Sequence, residues 1–180
     1  MMVPRLATDE DVPNIRTLIA RSARGLSIGF YTPAQIEAAA THVFGVDTQL
    51  IVDGTYYVID VPDGLAAAGG WSARRTLFGG DQMKQAEDSR LDPAIDAARI
   101  RAFFVDPAWA RRGLATALYR ACEQAARVAG FRRFELMATA PGLPLYRHLG
   151  FTELERVELI LGGVPVGFVR MGRAIHDASP

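Results

Sequence analysis

Residues 106–116 contain the residue types and spacing that could bind a phosphate group. Two arginines, Arg111 and Arg112, precede Gly113, and an apolar, strand-like run ends just before Pro107. Proline has no N–H for a strand ladder, so the chain must break there before a helix begins. The first turn of a helix has unpaired N–H groups and the positive end of the helix dipole, which both favour an anion. Glycine lets a ligand approach this main chain closely, so the segment predicts an anion site.

Two common phosphate-binding motifs do not match this segment. A P-loop needs a second glycine followed by Lys and Ser or Thr, and neither surrounds Gly113. A dinucleotide-binding fold needs three glycines, although Glu135 does lie at the distance where that fold places its acidic residue. Of the phosphate-binding designs considered, a turn with one glycine and two arginines is the one that the segment matches.

Composition limits the class of protein. With 180 residues, 49% of them hydrophobic, the chain can bury one substantial core, and we expect a single domain over residues 1–180. Its 20 basic and 20 acidic residues balance, so no overall field would attract nucleic acid or an anionic membrane. No apolar stretch is long enough to span a bilayer and no signal peptide begins the chain, so the expected location is cytoplasmic. Cys122 is the only cysteine, at core-facing helical spacing, so we expect no disulfide and no metal.

The elements that must position residues 106–116 follow from hydrophobic periodicity and turn residues. Strands are expected at residues 3–8, 55–61, 65–71, 99–105, 131–138, 151–161 and 164–171. Helices are expected at residues 9–23, 33–44, 112–129 and 141–149, with a short helical turn at 50–52.

Residues 72–97 form a long connection between two of these strands, rich in Arg, Asp, Gln and Gly. Long irregular segments in compact domains are usually functional lids or disordered, and both a lid and a solvated excursion remain open here. Because Arg74, Arg75 and the run Gly79-Gly80-Asp81 follow closely on Trp71, they are candidates for substrate contact.

Two motifs resemble a known family. Ala110-Arg111-Arg112-Gly113-Leu114-Ala115 closely resembles the acyl-CoA-binding motif Q/R-x-x-G-x-G/A of the GCN5-related N-acetyltransferase (GNAT) superfamily, with Ala110 where Gln or Arg is expected. Residues 144–151, Pro-Leu-Tyr-Arg-His-Leu-Gly-Phe, look like its other signature, a tyrosine on a short helix followed by Leu-Gly-Phe. The resemblance implies an α/β fold. Its sheet would be mixed and mostly antiparallel, with about seven strands flanked by helices and one parallel pair that splays apart.

The resemblance also implies a function: transfer of an acetyl group from acetyl-CoA to a primary amine by direct attack in a ternary complex. The pantetheine arm would lie between the splayed strands, where a main-chain N–H near Phe104 or Val105 would polarise the thioester carbonyl. Thr139 stands where many relatives have an asparagine that contacts CoA. Main-chain N–H groups and two arginine side chains would hold the pyrophosphate. The residues that carry these groups are Arg111, Arg112, Gly113, Leu114, Ala115 and Thr116.

Tyr146 is the expected general acid, because a tyrosine hydroxyl held close to the sulfur can protonate the departing thiolate. The alternative is a tyrosine that only packs in the core. The general base stays open, since residues 99–103 lack the acid that relatives often place there. Asp81, Glu135, a water chain or an already neutral amine could serve, and His148 is expected at the surface.

The acceptor is expected to be a small-molecule amine, with Phe30, Tyr31 and Trp71 as candidate pocket residues, although aromatic residues are more often core. A flat groove would favour a peptide acceptor instead, whereas a pocket closed by residues 72–97 favours a small amine. The missing strand acid and Ala110 leave a second function open, a non-catalytic acyl-CoA-binding sensor or regulatory module. The apolar terminal hairpin could form a homodimer interface, and burial within one chain explains it equally well.

Overall fold

The computed structural model describes residues 2–84 and 87–175, and within them seven strands form one sheet. The strands are β1 (Arg5–Leu6), β2 (Tyr56–Val61), β3 (Gly64–Ser72), β4 (Ala98–Val105), β5 (Arg133–Thr139), β6 (Thr152–Leu161) and β7 (Val164–Ala174). The helices are α1 (Val12–Ser27), α2 (Pro33–His42), α3 (Thr48–Val52), α4 (Leu114–Val128) and α5 (Leu143–His148).

The sheet has the strand order β1-β2-β3-β4-β5-β7-β6. Every neighbouring pair is antiparallel except β4 and β5, which run parallel. These two strands pair only where Ala98 faces Phe134 and Arg99 faces Glu135. Beyond those pairs they continue without a shared ladder. The predicted fold class, a mostly antiparallel sheet with one splayed parallel pair, is confirmed.

Helices cover both faces of the sheet because successive strand residues point to opposite sides. Ile59 of β2 packs with Leu118 of α4 on one face, and the adjacent Val58 packs with Leu18 of α1 on the other. Cys122 is fully buried on the α4 face, as its helical spacing predicts.

The first strand and helix differ from the prediction in their limits. Strand β1 has two residues, because the N–H of Thr8 already donates to the Asp11 carboxylate at 2.8 Å and starts a turn. Helix α1 begins only at Val12 and continues to Ser27, four residues beyond the expected end. That extra turn brings the end of α1 over the gap between β4 and β5.

The connection between β3 and β4 lies against the body of the domain, as far as it is described; residues 85 and 86 lie outside the described residues. Arg74 donates two hydrogen bonds to Asp53, at 2.6 and 2.9 Å. The N–H of Gly80 donates to the carbonyl of Val43 at 2.9 Å, and a Cβ on Gly80 would lie 2.7 Å from the main chain of Gly45. Only glycine permits this approach, so the segment forms a fixed wall.

No helix in the described part of the chain is long and apolar enough to cross a membrane.

Candidate active site

A cavity of about 800 Å³ occupies the gap where β4 and β5 separate. Tyr146, in the core cluster of the α4 face, lines it together with Phe44 and Phe168, which belong to clusters on the α1 face. The cavity therefore passes through the sheet from one face to the other. Its volume is within the range of pockets that hold small-molecule ligands.

A bulge in β4 shapes the wall of this cavity. Between Ala68 and Gly70 of β3, the facing stretch of β4 contains one extra residue. Ala102 in that stretch has φ 53°, a left-handed conformation that costs a non-glycine residue roughly 1–2 kcal/mol. The hydroxyl of Tyr56 donates to the Ala102 carbonyl at 3.1 Å and supports the bulge. Because a bulge bends its strand, it adds to the separation of β4 from β5, whose pairing ends at Arg99.

The predicted phosphate-binding segment forms a tight turn before α4. Arg111 and Gly113 have φ values of 62° and 79°, so α4 begins after Gly113 rather than at the predicted residue 112. The first helical hydrogen bond of α4 runs from the N–H of Ala117 to the carbonyl of Gly113 at 3.0 Å. The N–H groups of residues 114–116 precede that bond and have no partner within the helix. Residues 114–116 all line the cavity, so these donors are available to a ligand there.

Asp106 holds the turn in place. Its carboxylate accepts a hydrogen bond from the N–H of Ala108 at 2.9 Å and forms an ion pair with Arg21 of α1 at 3.3 Å. Its own N–H donates to Ala66 of β3 at 2.8 Å. The turn is thereby joined to both the sheet and α1.

The two arginines of the turn differ in their surroundings. Arg111 lines the cavity, whereas Arg112 is not part of the lining. The guanidinium of Arg112 lies over the ring of Trp109, 4.8 Å from its centroid, and donates to the carbonyl of Ala108 at 3.5 Å. Its side chain is therefore held by a cation–π contact with a ring that borders the cavity. Of the two arginines predicted to hold a pyrophosphate, Arg111 is the one that lines the cavity.

Tyr146 packs in the core and also borders the cavity. Its ring stacks on Phe103 with centroids 6.5 Å apart and meets Phe151 edge-on at 5.7 Å. Burial raises the pKa of Tyr146 above its ordinary value, so the hydroxyl stays protonated at neutral pH. A protonated hydroxyl at this place can donate a hydrogen bond or a proton into the cavity.

The two predicted N–H donors of β4 face different ways. The N–H of Asp106 donates to Ala66 of β3. Phe104, two residues earlier on the strand, therefore turns its N–H to β3 as well. The N–H of Val105 faces the opposite edge, where the hydroxyl of Ser22 accepts it at 3.2 Å. Val105, rather than Phe104, is the residue whose N–H points to the cavity side.

Ser22 is a site residue that the sequence reasoning did not identify. It lies on α1, 83 positions from Val105, is buried, and lines the cavity. Its position one helical turn after Leu18 places it on the buried face of α1. A hydroxyl on that buried face is the sequence feature that could have marked Ser22 as a site residue. Nothing in the sequence indicates which strand it would meet.

Thr139 lines the cavity and also caps the turn that leads into α5, because its hydroxyl accepts the N–H of Gly142 at 3.3 Å. His148 is exposed, as predicted, and borders the cavity. Of the three candidate acceptor residues, Phe30 lines the cavity. Tyr31 instead accepts the N–H of Ala140 at 2.9 Å and donates to Gly167 at 2.7 Å.

The remaining candidates for substrate contact serve mainly to support the fold. Trp71 is a buried core residue that meets Phe131 edge-on. Arg74 pairs with Asp53, and Arg75 donates to the hydroxyl of Ser89 at 2.9 Å. Neither arginine lines the cavity, whereas residues 79 and 80 do.

Arg101 fastens the wall beside the cavity. Its side chain is 1% exposed and donates to the carboxylate of Asp47 at 2.8 Å. It also donates to the carbonyls of Gly79 and Thr76 at 2.7 and 3.0 Å. Lys84 approaches the other oxygen of Asp47 at 2.5 Å. A buried group of charges thus holds residues 76–84 against the sheet.

Neither carboxylate proposed as a general base lines the cavity. Asp81 accepts the N–H of Thr48 at 3.1 Å and pairs with Lys84 at 3.0 Å. Burial acts to raise the pKa of Asp81, and the bonds from Lys84 and Thr48 outweigh it and lower the pKa. Glu135 pairs with Arg99 at 3.1 Å and lies 3.7 Å from Arg170. Among the described residues, the cavity lining contains no aspartate or glutamate.

The described residues contain no group of three or more His, Cys, Asp or Glu side chains that could hold a metal ion.

Comparison with known proteins identifies the family. The profile of the acetyltransferase (GNAT) family matches residues 47–151, more than half of the chain. The chain therefore belongs to the GNAT acetyltransferase family. No curated protein sequence matches it.

Solved structures show the same fold at low sequence identity. A GCN5-related N-acetyltransferase from Rhodopseudomonas palustris aligns with a TM-score of 0.71 and 15% identity, over 97% of this chain and 96% of the other. The ribosomal-protein-S18-alanine N-acetyltransferase from Escherichia coli aligns at 0.60 and 16%, over 99% and 97%. PaiA N-acetyltransferase from Thermoplasma acidophilum, solved with coenzyme A, aligns at 0.63 and 11%, over 97% and 99%.

Proposed function

We propose that the protein is an acetyl-CoA-dependent N-acetyltransferase that acetylates the primary amine of a small molecule by direct attack in a ternary complex. The observation that carries this proposal is the cavity between β4 and β5. It joins the turn at residues 111–116 to the hydroxyl-bearing ring of Tyr146 and then continues to the other face of the sheet. Donor and acceptor can therefore enter from opposite faces and meet in the gap.

The residues around the cavity suit acetyl-CoA. Three N–H groups at the start of α4 and the guanidinium of Arg111 can bind a pyrophosphate. A Cβ placed on Gly113 would meet nothing within 4 Å, so the main chain is approachable there. Acetyl-CoA supplies an acetyl group activated as a thioester.

The groups of this chain would then act at two atoms. Tyr146 would give its proton to the departing sulfur as the carbon–sulfur bond breaks, and solvent would return that proton. The N–H of Val105 would polarise the thioester carbonyl when the hydroxyl of Ser22 releases it. The new bond joins the amine nitrogen to the acetyl carbon, and the nitrogen loses one proton to water.

The size and closure of the site support a small acceptor. Residues 77–80 wall one side of the cavity, and Arg101 holds this wall through the carbonyls of Thr76 and Gly79. A walled cavity of this size suits a small amine better than a folded protein surface.

The test is turnover with acetyl-CoA and a panel of amines, followed by release of the free thiol. Replacing Tyr146 with Phe should lower kcat by about 10²-fold or more, because the proton donor is lost. The affinity for CoA, measured by calorimetry, should change little. Tyr119→Phe is the matched control, because the Tyr119 hydroxyl bonds to Glu123 away from the cavity. A fully active Tyr146→Phe enzyme would show that Tyr146 is not the general acid.

A second candidate function is a non-catalytic acyl-CoA-binding sensor. The observation that favours it is the lack of any carboxylate in the described cavity lining. A sensor would bind CoA and acetylate no amine in the panel.

A further inference from the structure

The part of the cavity on the α1 face is apolar and aromatic. Two of its rings, Phe78 from the β3–β4 connection and Phe168 from β7, stack with centroids 6.1 Å apart. We call this part the acceptor end, and its apolar lining residues are Phe30, Phe44, Leu77, Phe78, Met137 and Phe168. Such a surface favours an apolar body of about the size of an aromatic ring.

The acceptor end contains no carboxylate among the described lining residues. Its one ionised side chain is that of Arg101, which is 1% exposed and whose guanidinium donates to Asp47, Gly79 and Thr76. The charge of Arg101 is therefore used within the wall. An ammonium group bound at this end would find no negative partner in the described lining.

These two features act on a bound amine in the same direction. An apolar surrounding disfavours a charged ammonium. No carboxylate is present in the described lining to offset this effect. A bound amine is therefore driven to its neutral form, which is the nucleophilic form.

We propose that the acceptor is an amine on an apolar, ring-sized body that has no second positive charge and reacts as the neutral amine. This inference rests on the proposed function and narrows it to a class of substrate. It also answers the question of the general base: the cavity removes the proton by disfavouring the ammonium ion, and water receives it. Polyamines and other polycationic amines are excluded from the class.

The test compares two amines that share one skeleton. 2-Phenylethylamine has one amine, and its 4-aminomethyl derivative has a second ammonium group at the far end of the ring. Two quantities are measured for each: kcat/KM with acetyl-CoA, and the dissociation constant from the enzyme–CoA complex by calorimetry. We expect both to favour phenylethylamine by at least about tenfold, the ratio that 1.4 kcal/mol produces. The proposal would be overturned if the derivative or spermidine had a kcat/KM as high as that of phenylethylamine, or higher, and bound as tightly or more tightly.

A pair of variants isolates the charge. Leu77 lines the acceptor end on the β3–β4 connection and belongs to no buried core cluster among the described residues. Leu77→Glu adds a carboxylate, and Leu77→Gln adds a side chain of the same size without charge. The preference for phenylethylamine should fall about tenfold in the first variant relative to the second. An unchanged ratio between these two variants would show that charge does not select the acceptor.

The two measurements separate this inference from the proposed function. Selective binding of phenylethylamine without thiol release from any amine would support the substrate class as a ligand class and contradict the enzyme. Turnover that favours the diamine would support the enzyme and contradict the class.

Discussion

The two ends of the cavity are built in different ways. The donor end consists of a main-chain turn and the start of one helix, formed by residues 106–116, with Tyr146 added from a second short segment. The acceptor end is assembled from side chains of the α1–α2 loop, the α2–α3 region, the β3–β4 connection, β5 and β7. A main-chain site binds a ligand that is the same throughout a family, whereas a side-chain site can differ between members without a change of fold. The main-chain end therefore suits a donor that the whole family shares, and the side-chain end suits an acceptor that is particular to this protein.

The two ends also differ in what holds them. The donor turn is held by main-chain hydrogen bonds, such as that of Asp106 with Ala66, and by the ion pair of Asp106 with Arg21, whose side chain is 61% exposed. The acceptor wall depends on the buried ion pair of Arg101 and Asp47, whose side chains are 1% and 2% exposed. A buried pair has a large cost when one partner is lost, so the acceptor end should be the more sensitive to substitution.

The largest effect is expected for Asp47→Ala. Loss of this carboxylate leaves the buried Arg101 uncompensated, which costs about 3–5 kcal/mol and lowers Tm by roughly 6–20 °C. Thermal unfolding measures the change. Glu37→Ala is the control, because its ion pair with Arg24 is exposed on both sides, at 59% and 61%, and should contribute little to stability. Equal shifts in the two variants would show that the buried pair stabilises the acceptor wall no more than an exposed pair does.

The next effect concerns the two arginines of the donor turn. Arg111→Ala removes charge-assisted bonds to a phosphate that contribute about 1.5–3 kcal/mol, so KM for acetyl-CoA should rise at least tenfold. Arg112→Ala should leave this KM within about twofold, because its side chain is held over Trp109 and Arg112 is not part of the cavity lining. Steady-state kinetics at low and high salt measure both. A larger change in KM for Arg112→Ala would mean that its side chain turns into the cavity on binding.

The smallest effect is expected for Gly113→Ala. Because Gly113 has φ 79°, alanine there is strained by roughly 1–2 kcal/mol although no atom would clash with its Cβ. Tm should fall by roughly 2–8 °C. Gly167→Ala in β7 is the control, since a Cβ there also meets nothing within 4 Å and the backbone is not left-handed. A Tm equal to that of this control would mean that the turn relaxes without cost.

The helices and strands follow the sequence closely where their patterns are local. The hairpin of β6 and β7 joins at Gly162 and Gly163, as the paired glycines predict, and both have positive φ. Helix α4 ends near Gly130, as this glycine predicts, and Gly130 also has a positive φ. The short β1 and the late start of α1 were not predicted, because the Asp11 carboxylate competes for the N–H of Thr8.

The roles of the predicted site residues stay predictions, although the structure collects most of them around one cavity. The cytoplasmic location and the homodimer predicted from the sequence also stay predictions. The family and the fold class are confirmed.

The sequence by itself determined the donor end, because a proline break, two arginines, one glycine and a helix start act over about ten neighbouring residues. Only the tertiary structure decided the acceptor end and the contact of α1 with β4. Arg101 meets Asp47 across 54 positions, and Val105 meets Ser22 across 83. Such contacts depend on how the sheet twists and where the helices pack, and no local pattern records them. The absence of a carboxylate from the described lining is likewise a property of the folded chain, since the fold directs the acidic side chains of the described residues elsewhere.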